Sequence, residues 1–167
     1  TAFRYLESEV KSGRIGCYGI SSNTFPKPAT DYERTDLSAI LALAEEISQQ
    51  HHFRVIEFPC NLFEPGAMVE ENQPMNQTLI EFALDNQVTT LINRPLNAIQ
   101  ADQLIRLADN VYAGEAARQV ADFRRRLAGI DPAWSADTLS RLAIRALRST
   151  AGIGSVLVGM RRKEYVE

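Results

Sequence analysis

Apolar residues recur along this chain in two alternating rhythms. Phe3, Leu6 and Val10 are spaced by three and four, which predicts an amphipathic helix that Gly13 stops. Ile15 to Ile20 is short and apolar and runs into the polar Ser21-Ser22-Asn23, the pattern of a buried strand. Asp36 can cap a second helix with Leu37, Ile40, Leu41, Ala44 and Ile47 on one stripe. Val55 to Phe58 predicts a second strand, and Asn61 to Pro74 a loop. Leu79, Ile80, Ala83 and Leu84 mark a further helix, and Val88 to Ile92 a third strand rich in β-branched residues. Beyond Pro95 the pattern is less regular. Ala117, Val120, Ala121, Arg124, Leu127 and Ala128 share a helical face. After the break at Pro132, Ser135 can cap a last long helix through Leu139, Leu142, Ala143, Ala146 and Leu147. Gly152 and Gly154 end it, Ser155 to Val158 predicts a fourth strand, and Arg162 to Glu167 a helical turn.

Apolar strands alternating with amphipathic helices predict a parallel sheet covered by helices. An open four-stranded sheet and half of a (β/α)8 barrel both satisfy that order. A whole barrel takes about 250 residues, and this chain has 167. Half a barrel leaves two strand edges and its inner face uncovered, which favours a partner half or self-association. No repeat or linker divides the chain, so residues 1–167 read as one domain.

Composition narrows the function classes. The net charge of −3 lacks the basic excess of a nucleic-acid surface. No apolar run approaches the roughly 20 residues that span a bilayer, and the first residues carry no signal-peptide core. Cys17 and Cys60 read as free thiols of a cytoplasmic protein. His51-His52 lacks companion ligands for a metal, Arg124-Arg125-Arg126 reads as a solvated face, and Trp134 as packing.

Ligands of parallel α/β proteins gather at the C-terminal strand ends. Four segments fall there: Ser21-Ser22-Asn23, Glu57 to Asn61, Asn93-Arg94-Pro95-Leu96, and Gly159-Met160-Arg161 with Arg162 and Lys163. The last combines a glycine, three cations and a helix start, a setting that attracts phosphate, although a solvated basic turn has the same composition. Ser21-Ser22-Asn23 can bind a carboxamide or satisfy its own turn. Glu57, a carboxylate within an apolar strand, is expected to pair with Arg94 or to face a ligand.

In order, these motifs resemble the aldo-keto reductase family. Gly13 to Asn23, GRIGCYGISSN, is similar to the family's GKIRxxGVSNF stretch at the fifth barrel strand. VIEFPCNLFE, from Val55 to Glu64, resembles the sixth strand and its QxxYNLL. Arg94-Pro95-Leu96 resembles the SPL after the seventh strand, and SVLVGMR, from Ser155 to Arg161, the eighth strand and its phosphate loop. The resemblance implies the C-terminal half of a (β/α)8 TIM barrel, four parallel strands alternating with helices. It further implies NADP or NAD as cofactor and reduction of aldehydes or ketones. Ser21, Ser22 and Asn23 would approach the nicotinamide carboxamide, and Arg94, Pro95 and Leu96 would line the pyrophosphate path. Gly159, Met160 and Arg161 would meet the adenosine phosphate, with Tyr165 near the adenine. Glu57 stands where the family usually has Gln, and Asn93 where many members stack an aromatic under the nicotinamide. The family's catalytic Asp, Tyr, Lys and His belong to the other half of the barrel and have no counterpart here, so this chain alone is expected to be inactive. The alternatives are a non-enzymatic half-barrel that binds a nucleotide or a protein, and an open α/β domain without cofactor.

Overall fold

The computed structural model describes residues 2–100, 103–107, 114–135 and 137–159. The main sheet is four-stranded, with β1 (Tyr18–Ser21), β2 (Phe53–Pro59), β3 (Thr89–Asn93) and β6 (Ser155–Val156) side by side in that order. All three pairings are parallel. A separate antiparallel hairpin, β4 (Asn97–Gln100) and β5 (Gln103–Arg106), follows β3. The expected four parallel strands alternating with helices are therefore present. They form an open sheet among the described residues, with β1 and β6 as its edges.

Local chemistry accounts for the helices. α1 (Ala2–Lys11) buries Phe3, whose ring lies 5.3 Å from Tyr18 and 5.8 Å from Phe53. α2 (Leu37–Ile47) starts at Asp36, whose carboxylate accepts the Ser38 and Ala39 amides. α4 (Leu79–Asp85) starts with a reciprocal Thr78–Glu81 capping box. α7 (Leu139–Ser149) is capped by Thr138 and not by Ser135, which lies within the short helix α6 (Pro132–Ser135). The Asn61–Pro74 stretch also contains a short helix, α3 (Gly66–Val69). On α5 (Gly114–Ile130), Val120 is buried with Ala116 and Phe123 beside it, while Ala121 is exposed, so the buried face is rotated from the expected one. β1 begins three residues later than the apolar run, at Tyr18, and β6 ends at Val156. The turn expected over 162–167 lies outside the described residues.

Strand alternation sorts the sheet into two unlike faces. Tyr18, Ile56, Phe58, Thr90 and Ile92 are buried under the helices, joined by Ile20 and Val156. The opposite face carries Gly19, Ser21, Val55, Glu57, Thr89, Leu91, Asn93 and Ser155, each half-buried or exposed, and at its C-terminal end the buried Pro59. Parallel sheets are normally covered on both faces; among the described residues this one is covered on one. A second core joins the hairpin to α5 and α7 through Ala98, Ile105, Leu107, Val120, Leu139 and Ala143. α7 links the two cores, since Leu147 at its other end packs beneath the main sheet.

At the N-terminal end of the sheet, Glu7 ties α1 to both β1 and β2. Its carboxylate accepts the Tyr18 hydroxyl at 2.8 Å and the His52 amide at 2.7 Å, and lies 2.9 Å from His52 Nδ1. Burial alone would raise the Glu7 pKa, but the His52 backbone and ring and the Tyr18 hydroxyl outweigh it and hold the value below the ordinary one. A depressed folded-state pKa contributes stability above the unfolded value of about 4.3, and this is lost as pH falls through the folded value. Glu7→Gln should therefore lower the urea midpoint at neutral pH and flatten its decline into acid. Parallel midpoint-against-pH curves for the two proteins would contradict the role of Glu7.

Candidate functional site at the strand ends

Because the strands are parallel, the C-terminal ends of β1, β2, β3 and β6 share one edge of the sheet. Ser21 lies opposite Glu57 in register, and Pro59 opposite Asn93. The Asn93 side-chain amide donates to Glu57 Oε1 at 2.9 Å. Ser21, Glu57 and Asn93 thus lie together on the uncovered face. Asn93 Oδ1 is buried and has no hydrogen-bond partner among the described residues.

The expected Glu57–Arg94 ion pair does not form. Arg94 has a positive φ of 50°, and its Nη2 lies 3.2 Å from Glu64 Oε1. The left-handed backbone turns the chain just past β3 and carries the guanidinium to the loop after β2. Ser22 also leaves the face: its hydroxyl lies 3.0 Å from that of Thr24 and 2.7 Å from that of Thr35, within the turn that follows β1. Asn23 is exposed. Pro95 is buried, and Leu96 packs against the second core. Gly159 is exposed just beyond β6, while Met160, Arg161 and Tyr165 lie outside the described residues. Of the sequence candidates, Ser21, Glu57 and Asn93 converge; Ser22, Arg94, Pro95 and Leu96 serve the surrounding loops.

Asn61, the last residue of the Glu57–Asn61 candidate segment, and Glu64, which lies outside the four strand-end segments, organise those loops. Asn61 is fully buried, and its Oδ1 accepts the Phe63 and Glu64 amides, each at 3.0 Å. Its Nδ2 donates to Glu64 Oε2 at 2.8 Å and to the Arg94 carbonyl at 3.3 Å. Glu64 Oε2 also accepts the Ile99 amide of the hairpin at 3.1 Å. An Asn whose side chain closes its own turn is a recognisable local signal, but its ties to Arg94 and Ile99 are tertiary.

The two thiols have opposite surroundings. Cys17 is exposed and Cys60 is buried. Burial, helped by the Glu64 charge, pushes the Cys60 thiol up to about 12. Since the thiolate is the reactive species, a native iodoacetamide pulse read by peptide mass spectrometry should label Cys17 and spare Cys60 until the protein unfolds. Equal labelling rates would contradict the burial.

No group of three or more His, Cys, Asp or Glu among the described residues is placed to hold a metal ion, and no described helix is long and apolar enough to cross a membrane. A shallow cavity of about 350 Å³ lies at the other end of the sheet, lined by Val88, Thr90, Gly152 and Gly154, with no charged group. Fold and site together define an α/β protein with a one-sided parallel sheet and a polar cluster at its C-terminal edge. No family model matches the chain, and a search of curated proteins finds no match.

Proposed function

We propose that this chain is the C-terminal half-barrel of a cytoplasmic NAD(P)H-dependent aldo-keto reductase that reduces aldehydes or ketones. In this reading it supplies much of the cofactor-binding rim, and strands outside this chain supply the catalytic acid. The observation that carries the reading is the uncovered sheet face ending in Ser21, Glu57 and Asn93. In a (β/α)8 barrel such a face is the inner wall, and its C-terminal rim is where ligands bind.

The residues at this rim suit a nicotinamide. Its carboxamide brings two N–H donors and one acceptor oxygen. Asn93 Oδ1 is a buried acceptor with no partner among the described residues, Glu57 is a second acceptor, and the Ser21 hydroxyl can donate. When bound, the cofactor supplies the hydride. Glu57, Asn93 and Ser21 would fix the orientation of the carboxamide, and the resemblance implies that Gly159, Met160, Arg161 and Tyr165 would hold the adenosine phosphate end. Arg94 supports the rim through Glu64.

The reading is tested by NADPH and NADH titration of the complete barrel, this chain together with a polypeptide that supplies the other half, and of its Arg161→Ala variant. Loss of a charge-assisted hydrogen bond of roughly 1.5–3 kcal/mol should weaken binding about tenfold or more. Unchanged affinity for both would remove Arg161 from the site, and a protein that binds neither nucleotide would overturn the proposal.

A further inference from the structure

Glu57 is the only ionisable side chain on the uncovered face among the described residues. Its neighbours there are Ser21, Val55, Leu91 and Asn93, none of them charged. Among the described residues it has no cation, since Arg94 is taken by Glu64. Its described side-chain partner is the Asn93 amide. That contact also fixes which way Asn93 points. A carboxylate only accepts, so Asn93 must present Nδ2 to Glu57, which leaves Oδ1 facing away without a donor among the described residues. An uncompensated carboxylate beside an orphaned buried carbonyl calls for a ligand that brings N–H donors and positive charge together.

We infer that the Glu57–Asn93 pair makes this site select the oxidised nicotinamide cofactor over the reduced one. The inference rests on the function proposed above. The carboxamide is the same in both oxidation states, so Asn93 and Ser21 serve both equally. The ring is a pyridinium cation when oxidised and neutral when reduced, so a carboxylate beside it distinguishes them. A glutamine at this position, the residue of the resembling pattern, has the same shape without the charge. The two departures from that pattern, Glu57 and Asn93, are thus one device: the carboxylate carries the charge, and the amide braces it.

The experiment is binding of NADP⁺, NADPH, NAD⁺ and NADH to the purified protein and to its Glu57→Gln and Glu57→Asp variants, by calorimetry or by quenching of intrinsic fluorescence. The ratio of reduced-form to oxidised-form Kd should exceed one in the parent and fall about tenfold in Glu57→Gln, the size of one partly desolvated charge contact. Tenfold corresponds to about 30 mV in the potential of the bound two-electron couple. Glu57→Asp, which keeps the charge, should retain most of the preference. Binding of both forms with the same ratio in parent and Glu57→Gln would overturn this inference and leave the proposed function standing. If neither form of either cofactor binds the parent, the proposed function falls and takes the inference with it. Should the glutamine variant fail to fold, the parent's ratio decides, and tighter binding of the reduced form overturns the preference.

Discussion

Replacing Gly19 with alanine should cost more than about 3 kcal/mol, because the strain falls on backbone. A Cβ built at Gly19 lies 2.0 Å from the Val55 carbonyl oxygen, 2.7 Å from its carbonyl carbon and 2.8 Å from its Cβ. Those atoms belong to the neighbouring strand, at the place where the β1–β2 register shifts between Tyr18 and Gly19. A flexible side chain could swing aside, but a paired strand must separate. Moving β1 outward would pull Tyr18 from its ring contacts with Phe3 and Phe53, so α1 should loosen with it. Gly16, three residues earlier, provides the control: a Cβ there meets nothing within 4 Å. Gly16→Ala should be neutral or mildly stabilising by reducing the freedom of the unfolded chain. Urea unfolding of the two variants measures the contrast. Equal midpoints would show that β1 does not approach β2 as closely as described.

The second large effect concerns the uncovered face. On the proposed reading, the 167-residue chain taken alone should self-associate or expose dye-binding apolar surface. Among the described residues both edges of the sheet carry unpaired strand groups, and Leu157 and Val158, 42% and 36% exposed, lie just past the β6 edge. Val55 and Leu91 are half-buried on a face with no second layer. Sedimentation at low micromolar concentration, with a dye such as ANS, should report oligomers or bound dye. Co-expression with a polypeptide that completes the barrel should abolish both. A dye-free monomer with cooperative unfolding would remove the half-barrel reading and favour a self-contained open α/β domain.

What the sequence reveals here follows the range of the forces involved. The stripe of α2, the stripe of α7 apart from the exposed Ala146, and the Asp36 cap are local, and they are where the periodicity places them. The parallel strand order followed from the alternation of strands with helices. The β4–β5 hairpin did not declare itself, because Ile99 and Leu104 are exposed while their neighbours Ala98 and Ile105 are buried. Adjacent apolar residues pointing opposite ways hide a period of two. Ser135 and Thr138 are equivalent caps by chemistry, and the helix opened by Pro132 absorbs the first of them. At the site, proximity to the strand ends identified Ser21, Glu57 and Asn93. It paired Glu57 with the wrong side chain, because nothing local announces the left-handed turn at Arg94 or the pull of Glu64 from thirty residues away.

That pull has a consequence for anyone who wishes to remodel the rim. Glu64 belongs to the segment after β2, Arg94 to the segment after β3 and Ile99 to the hairpin, yet one carboxylate holds all three. Transplanting either segment by itself from another protein would strand a charge or an amide in a half-buried place. The two segments and the hairpin form a single interchangeable cassette, whose natural cut points fall before Asn61 and after β5.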